Sequence, residues 1–153
     1  MNTSTFDAQH PRSQDGRFRK KSALDEPREL GLDEVPTMDI ASDGTRAWYR
    51  NGERHRDDGP AVILPDGTRA WWRNGTVHRD DGPAVTYSSG IEVWFRDGKR
   101  HRDDGPAVIH PDGGQEWWRN GEQHRDDGPA VTRPDGTEQW YRNGEQHRDD
   151  GPA

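Results

Sequence analysis

The stretch that decides the fold is "DGTRAWYRNGERHRDDGPAVILP", residues 43–65. Related blocks begin at Asp66, Ser89, Asp112 and Asp135, so the pattern recurs every 23 residues without a slip and the fifth copy runs to Ala153. Eleven of the 23 positions are identical in all five copies: the Gly after the opening residue, the first aromatic (Trp), the Arg before the turn, the turn Gly, and His-Arg-Asp-Asp-Gly-Pro-Ala. A period in this range marks an array whose units cannot bury a face alone and gain a core by stacking.

Inside the block the local code is β. Asn51-Gly52, set between aromatic and polar runs, signals a two-residue hairpin, because a type I′ turn needs positive φ at both central residues. Asn74-Gly75, Asp97-Gly98, Asn120-Gly121 and Asn143-Gly144 repeat it. The second turn is Pro-Asp-Gly at 65–67, 111–113 and 134–136 and Ser-Ser-Gly at 88–90. There Pro fixes φ and Gly takes the left-handed position. Turns alternating at opposite ends of short strands predict an all-β fold over residues 37–153. Its form is an elongated antiparallel meander of repeated β-hairpins, two strands per repeat and roughly ten in all at about 4.8 Å spacing.

Composition narrows the class. Leu, Ile, Val and Phe make up 18 of 153 residues, which is low for a conventional core. All seven Trp lie between Trp48 and Trp140, so the aromatics are expected to carry the burial. No Cys is present, which excludes disulfides and thiolate metal sites. The net charge of −7 argues against nucleic acid as a general partner. No apolar run approaches a membrane span, and no signal-peptide apolar region opens the chain. The expected setting is the cytoplasm, or a virion assembled there.

A two-residue turn fixes register. Arg50 then faces Glu53, Tyr49 faces Arg54 and Trp48 faces His55. The same register sets Trp71 against His78, Trp94 against His101, Trp117 against His124, and Trp140 against His147. These ten residues are the candidate partner- or ligand-binding surface. The third hairpin, with Arg96 facing Lys99, should be the weakest. Each repeat also carries an aromatic doublet such as Trp48-Tyr49 or Trp71-Trp72, whose members point to opposite faces of a strand. Aromatics on both faces imply that the sheet curls over itself, packs on a second copy or holds a ligand.

His-Arg-Asp opens the catalytic loop of protein kinases, but no Gly-rich nucleotide loop, strand Lys pattern or Asp-Phe-Gly accompanies it here. Equivalent His residues two strands apart would sit about 9.6 Å from one another, too far to share one metal. No metal, cofactor or catalytic residue is therefore assigned. On the structural reading, the Asp pair caps backbone N–H groups, Gly supplies positive φ, Pro marks a strand start, and Arg56 pairs with a nearby acid.

The run "WYRNGERHRDDG" with its 23-residue period and following Pro-Asp-Gly resembles MORN repeats, more closely the bacterial MORN-variant repeats, over about 110 residues from Asp43. Tyr49, Trp72, Phe95, Trp118 and Tyr141 stand where the family has its Trp before the turn Gly, and His55 and its equivalents match the family's His after it. The resemblance implies hairpin strips that serve as scaffolds and dimerisation surfaces, and some variant-repeat proteins are antitoxins. Where the family has His-Gly-x-Gly this chain has His-Arg-Asp-Asp-Gly, so the lipid-headgroup binding of some members is not carried over.

Residues 1–24 hold five basic and two acidic residues, and residues 25–42 one basic and six acidic. Residues 1–36 read as a flexible, mostly disordered tail with one short helix near 23–30. "FDAQHPRSQDGRFRKKS" (6–22) resembles the opening of small actinobacterial phage and plasmid proteins. The function expected is a non-enzymatic interaction or scaffold module, a phage- or plasmid-encoded accessory protein that binds a protein partner or its own copy. The alternatives are an aromatic-platform strip for cell-wall sugars or choline-like groups, and an antitoxin or immunity protein.

Overall fold

The computed structural model describes residues 35–147; the expected tail and its helix, and the last copy from Arg148 onward, lie outside the described residues. The described chain forms nineteen short strands and no helix. Ten of them follow one antiparallel path in chain order, from Thr37–Ile40 and Arg46–Arg50 through Val62–Ile63, Arg69–Ala70 and on to Glu138–Gln139. The expected meander is present.

Both turns have the expected chemistry. Asn51 and Gly52 have φ of 53° and 75°, and the four equivalent pairs, including Asp97-Gly98, match them. A left-handed Asn or Asp followed by Gly is what a type I′ hairpin requires. At the other end Gly67 has φ of 90°. Its N–H donates to the Leu64 carbonyl and the Leu64 N–H to the Thr68 carbonyl, while the Asp66 side chain accepts the Thr68 N–H at 2.8 Å. The Ser-Ser-Gly turn lacks Pro but repeats both backbone bonds through Tyr87, Gly90 and Ile91.

The continuous two-strand repeat needs a correction. In the second repeat Trp72 pairs with Val77 and Arg73 with Thr76 beside the turn, whereas Ala70 pairs with Val85 and Arg69 with Thr86 further back. The return strand therefore carries six extra residues between the two sets of pairs. Those residues belong to His-Arg-Asp-Asp-Gly-Pro-Ala, which leaves the ladder as an excursion and rejoins it at Ala84. Trp71 sits at the branch: its N–H donates to the Ala84 carbonyl at 2.7 Å and its carbonyl accepts the His78 N–H at 3.1 Å. Each of the second to fourth repeats thus has two strand segments in the long sheet and two in a short hairpin arm. Successive arms also bond to each other, as in Gly75 N–H to the Arg54 carbonyl (3.0 Å) and Arg56 N–H to the Trp72 carbonyl (3.3 Å).

One register row crosses the sheet as Ala47, Val62, Ala70, Val85, Val93, Val108, Glu116, Val131 and Gln139. Val85, Val93 and Val108 are its buried centre, and Val77, Phe95 and Trp118 from the arms pack on it. Ala61, Ala84, Ala107 and Ala130 are fully buried, whereas the aromatic doublets are half-buried. The expectation that aromatics carry the burial is corrected accordingly. Small side chains take the deepest places because the excursion rejoins the sheet there, and a longer one would hold the backbones apart.

The turn-flanking pairs are Arg50–Glu53, Arg73–Thr76, Arg96–Lys99, Arg119–Glu122 and Arg142–Glu145. Lys99 contacts the turn of the following arm at Gly121, the position that Glu53 and Glu122 fill against Gly75 and Gly144. Glu therefore fits this place. Lys99→Glu is expected to raise stability by about 0.2–1 kcal/mol in urea denaturation; an unchanged or lowered midpoint would count against the like-charge argument.

Candidate functional site

The excursion is organised around its Arg. Arg79 turns back over the branch-point Trp71, its guanidinium carbon 4.2 Å from the ring centroid. The same stack recurs at Arg56–Trp48, Arg102–Trp94 and Arg125–Trp117, at 4.3, 4.2 and 4.0 Å. Nε of Arg79 donates to Asp81 Oδ1 at 2.9 Å and Nη1 to the Pro83 carbonyl at 3.3 Å. A Cβ added to Gly82 would stand 3.0 Å from the Arg79 guanidinium carbon. Gly59, Gly82, Gly105 and Gly128 are not among the positive-φ glycines. The expectation that this Gly supplies positive φ is therefore corrected: it is there for space.

The Asp pair is also corrected, since its members hold side chains. Asp58, Asp81, Asp104 and Asp127 accept from the stacked Arg of their own excursion. Asp57, Asp80, Asp103 and Asp126 accept from the Arg before the turn and stand beside the His, as in Arg73 to Asp80 at 2.7 Å and His78 Nε2 to Asp80 at 2.8 Å. In Asp57, Asp80 and Asp126 the imidazole hydrogen bond, followed by that of the Arg, holds the carboxyl below its usual range. In Asp103 the Arg96 bond leads.

The backbone pairs Trp with His as expected, with His55 N–H to the Trp48 carbonyl at 3.0 Å and His147 N–H to the Trp140 carbonyl at 2.9 Å. The side chains take other partners. Trp48, Trp71, Trp94 and Trp117 carry Arg over their rings, and the His reaches into the next repeat. His55 Nδ1 accepts the Asn74 backbone N–H at 3.1 Å, nineteen residues away. His78 does the same to Asp97, His101 to Asn120 and His124 to Asn143. Each His thus clamps the next hairpin turn. His55, His101 and His124 are buried and His147 is exposed.

Excursions of adjacent repeats enclose grooves. One of 680 Å³ lies between the excursions that begin at Arg79 and at Arg102, with Trp94, Phe95 and His101 in its lining. Another of 620 Å³ lies one repeat earlier, with Trp71, Trp72 and His78. The two share one composition: aromatic floor, Arg and Asp walls, and a Gly-Pro edge. Of the ten candidate residues, these four are brought together in the two grooves.

Phe95 and Trp118, the second aromatics of their doublets, turn to the valine row. Arg54 lies 5.0 Å over Trp72 and Arg100 4.8 Å over Trp118. In the second and fourth repeats both aromatics of the doublet thus carry an Arg from within the chain, one from the excursion and the other from the neighbouring arm. Trp118 Nε1 donates to Glu116 at 2.9 Å, and His110 Nε2 lies 3.3 Å from the same carboxylate. Sequence reasoning missed His110 and Glu116, which stand at positions that vary between copies: the equivalent places hold Leu64, Tyr87 or Arg133, and Ala47, Ala70, Val93 or Gln139. Among the described residues no three His, Asp or Glu side chains form a metal-holding group.

Comparison with known proteins gives no matching family model and no matching curated protein. The geometry therefore carries the functional reading.

Two outcomes follow from the clamp. His101→Ala removes a buried imidazole and leaves the Asn120 N–H without its acceptor, at a cost of about 1–3 kcal/mol; His147→Ala should cost less, and equal losses in chemical denaturation would contradict the clamp. The lowered Asp groups contribute stability that is present above their unfolded value of about 3.8–3.9 and lost as pH falls through the lower folded values. The melting temperature should drop below about pH 4, and more shallowly when Asp57, Asp80, Asp103 and Asp126 are all Asn. An identical acid limb in that variant would contradict the assignment.

Proposed function

We propose that this chain is a non-enzymatic, MORN-like interaction module that docks a protein surface, a second copy of itself included, along its row of grooves. The observation that carries this reading is the repetition of one groove type at successive repeats. Each groove alone is shallow and charged, but identical sites in register let an extended or repeating partner engage several at once, which multiplies weak contacts. The walls carry Arg and Asp in near balance, so they suit a protein face of mixed charge and not a polyanion.

The Trp stacking supports this reading over an open aromatic platform for choline-like groups or sugars. The place over each of four Trp rings where a ligand cation would sit already holds the chain's own Arg. The phage- or plasmid-like leader adds a setting in the cytoplasm or on a virion for an accessory protein of this kind.

Sedimentation velocity of the full chain tests the proposal. Concentration-dependent self-association is expected, and Asp81→Lys with Asp104→Lys, at exposed groove walls, should weaken it, whereas Asp127→Lys, which breaks the same Arg tie outside the two grooves, controls for lost stability and should leave it unchanged. A chain that stays monomeric, with choline shifting the indole signals of Trp71 and Trp94, would replace this reading with the platform one.

A further inference from the structure

Repeat symmetry separates what the architecture demands from what it does not. A residue found in every copy is explained by stacking; a cleft lined by positions that vary between copies needs another account. Such positions line a 230 Å³ cleft on the fourth repeat, with Gly114, Glu116 and Gln123 in its wall, His110 entering from the end of the third block and Gln139 from the fifth. Elsewhere these positions hold Leu64, Tyr87 or Arg133 for His110, Thr45, Thr68, Ile91 or Thr137 for Gly114, Ala47, Ala70 or Val93 for Glu116 and Gln139, and Arg54, Val77, Arg100 or Gln146 for Gln123, so the cleft is lined by positions that vary between copies. None of the residues around this cleft lines the two grooves described above.

The members fit one another. Gly114 lies against the His110 side chain, where a Cβ would make ordinary contact at 3.5 Å, and its missing side chain leaves the cleft wall open. His110 then reaches Glu116, whose second oxygen accepts the Trp118 indole N–H. The fold does not demand this acceptor. The equivalent Trp72 Nε1 is buried without a hydrogen-bond partner and the repeat stands all the same. Gln123 and Gln139 are half-buried, and no side-chain hydrogen bond is formed by either among the described residues.

We propose that this cleft binds one sugar-sized polyhydroxyl unit. Two free amides offer donors and acceptors together, Glu116 adds acceptors and Thr132 a hydroxyl. Vicinal hydroxyls, each both donor and acceptor, match that set. A cation would find only a partly neutralised wall, because Arg133 lies in it along with Glu116 and Asp112. The volume is below the roughly 300 Å³ at which sites for drug-sized ligands begin, which limits the occupant to about one ring. The site is independent of the protein-docking reading.

The test is side-chain amide NMR of the full chain titrated with methyl glucoside, methyl mannoside and methyl N-acetylglucosaminide. Saturable shifts of the Gln123 and Gln139 amides and the Trp118 indole are expected, with a dissociation constant on the order of 1 mM for the best of the three. Gln139→Ala, which installs the residue that Ala47 and Ala70 already provide, should weaken binding about tenfold with an unchanged melting temperature. Gly114→Thr, which puts the residue of Thr68 and Thr137 into the cleft wall, should do the same. No saturable shift with any of the three glycosides, or shifts confined to Trp48, Trp71, Trp94 and Trp117, overturns the proposal. Self-association in the centrifuge is unaffected by either outcome, so the two readings fail separately.

Discussion

The stack of one Arg on one Trp in each repeat is the interaction on which the rest depends. The return strand is six residues too long for its hairpin, and the surplus must be held down without a ladder of its own. Arg79 does this by lying on Trp71, reaching Asp81 and bonding the Pro83 carbonyl. Each invariant letter then has a separate reason. Trp is the platform, Arg the tie, the second Asp its counter-charge, Gly the gap beside the guanidinium, and Ala the buried point of return. Exposed ion pairs alone contribute little; a cation on an aromatic face, closed on the other side by Gly, is a better anchor.

The excursion also couples the repeats. With the surplus held over Trp, the His preceding it is left facing the next hairpin, where it accepts the backbone N–H at the turn. One imidazole thereby joins elements nineteen residues apart, and its other nitrogen sits on the first Asp. A hairpin of two-residue strands would be marginal alone. Clamped arm to arm and bonded strand to strand, the arms become a second ladder beside the long sheet. The same arrangement places grooves between excursions, so the architecture that stabilises the strip also shapes its surface.

Eleven invariant positions in a block of 23 leave the other positions free to vary. Lys99 and Asp97 alter the third hairpin without changing its turn geometry. His110, Gly114 and Glu116 build a contact set that the other described repeats lack, and Gln123 and Gln139 add amides on the same cleft. Architecture and recognition are in this way carried by different positions of the same 23-residue block.

The meander, the two turn types and the pairing register were legible in the sequence, because each depends on neighbours: Asn-Gly sets φ, and a two-residue loop sets which residues face each other. The row of Trp opposite His was legible for the same reason at the level of the backbone. Their side-chain partners were not. Arg79 over Trp71 and His78 against Asp97 depend on where a six-residue excursion folds, and no local propensity encodes that. The left-handed role expected for the Gly of Asp-Asp-Gly failed on the same point, since a turn rule was applied where packing against Arg decides. The cleft at His110 was not legible, because its lining comes from positions that vary between copies and meet only when the repeats stack. Sequence by itself determined the strands, turns and register, which are short-range consequences of backbone sterics. Tertiary structure alone decided which side chains meet across repeats, because those contacts need the chain already stacked.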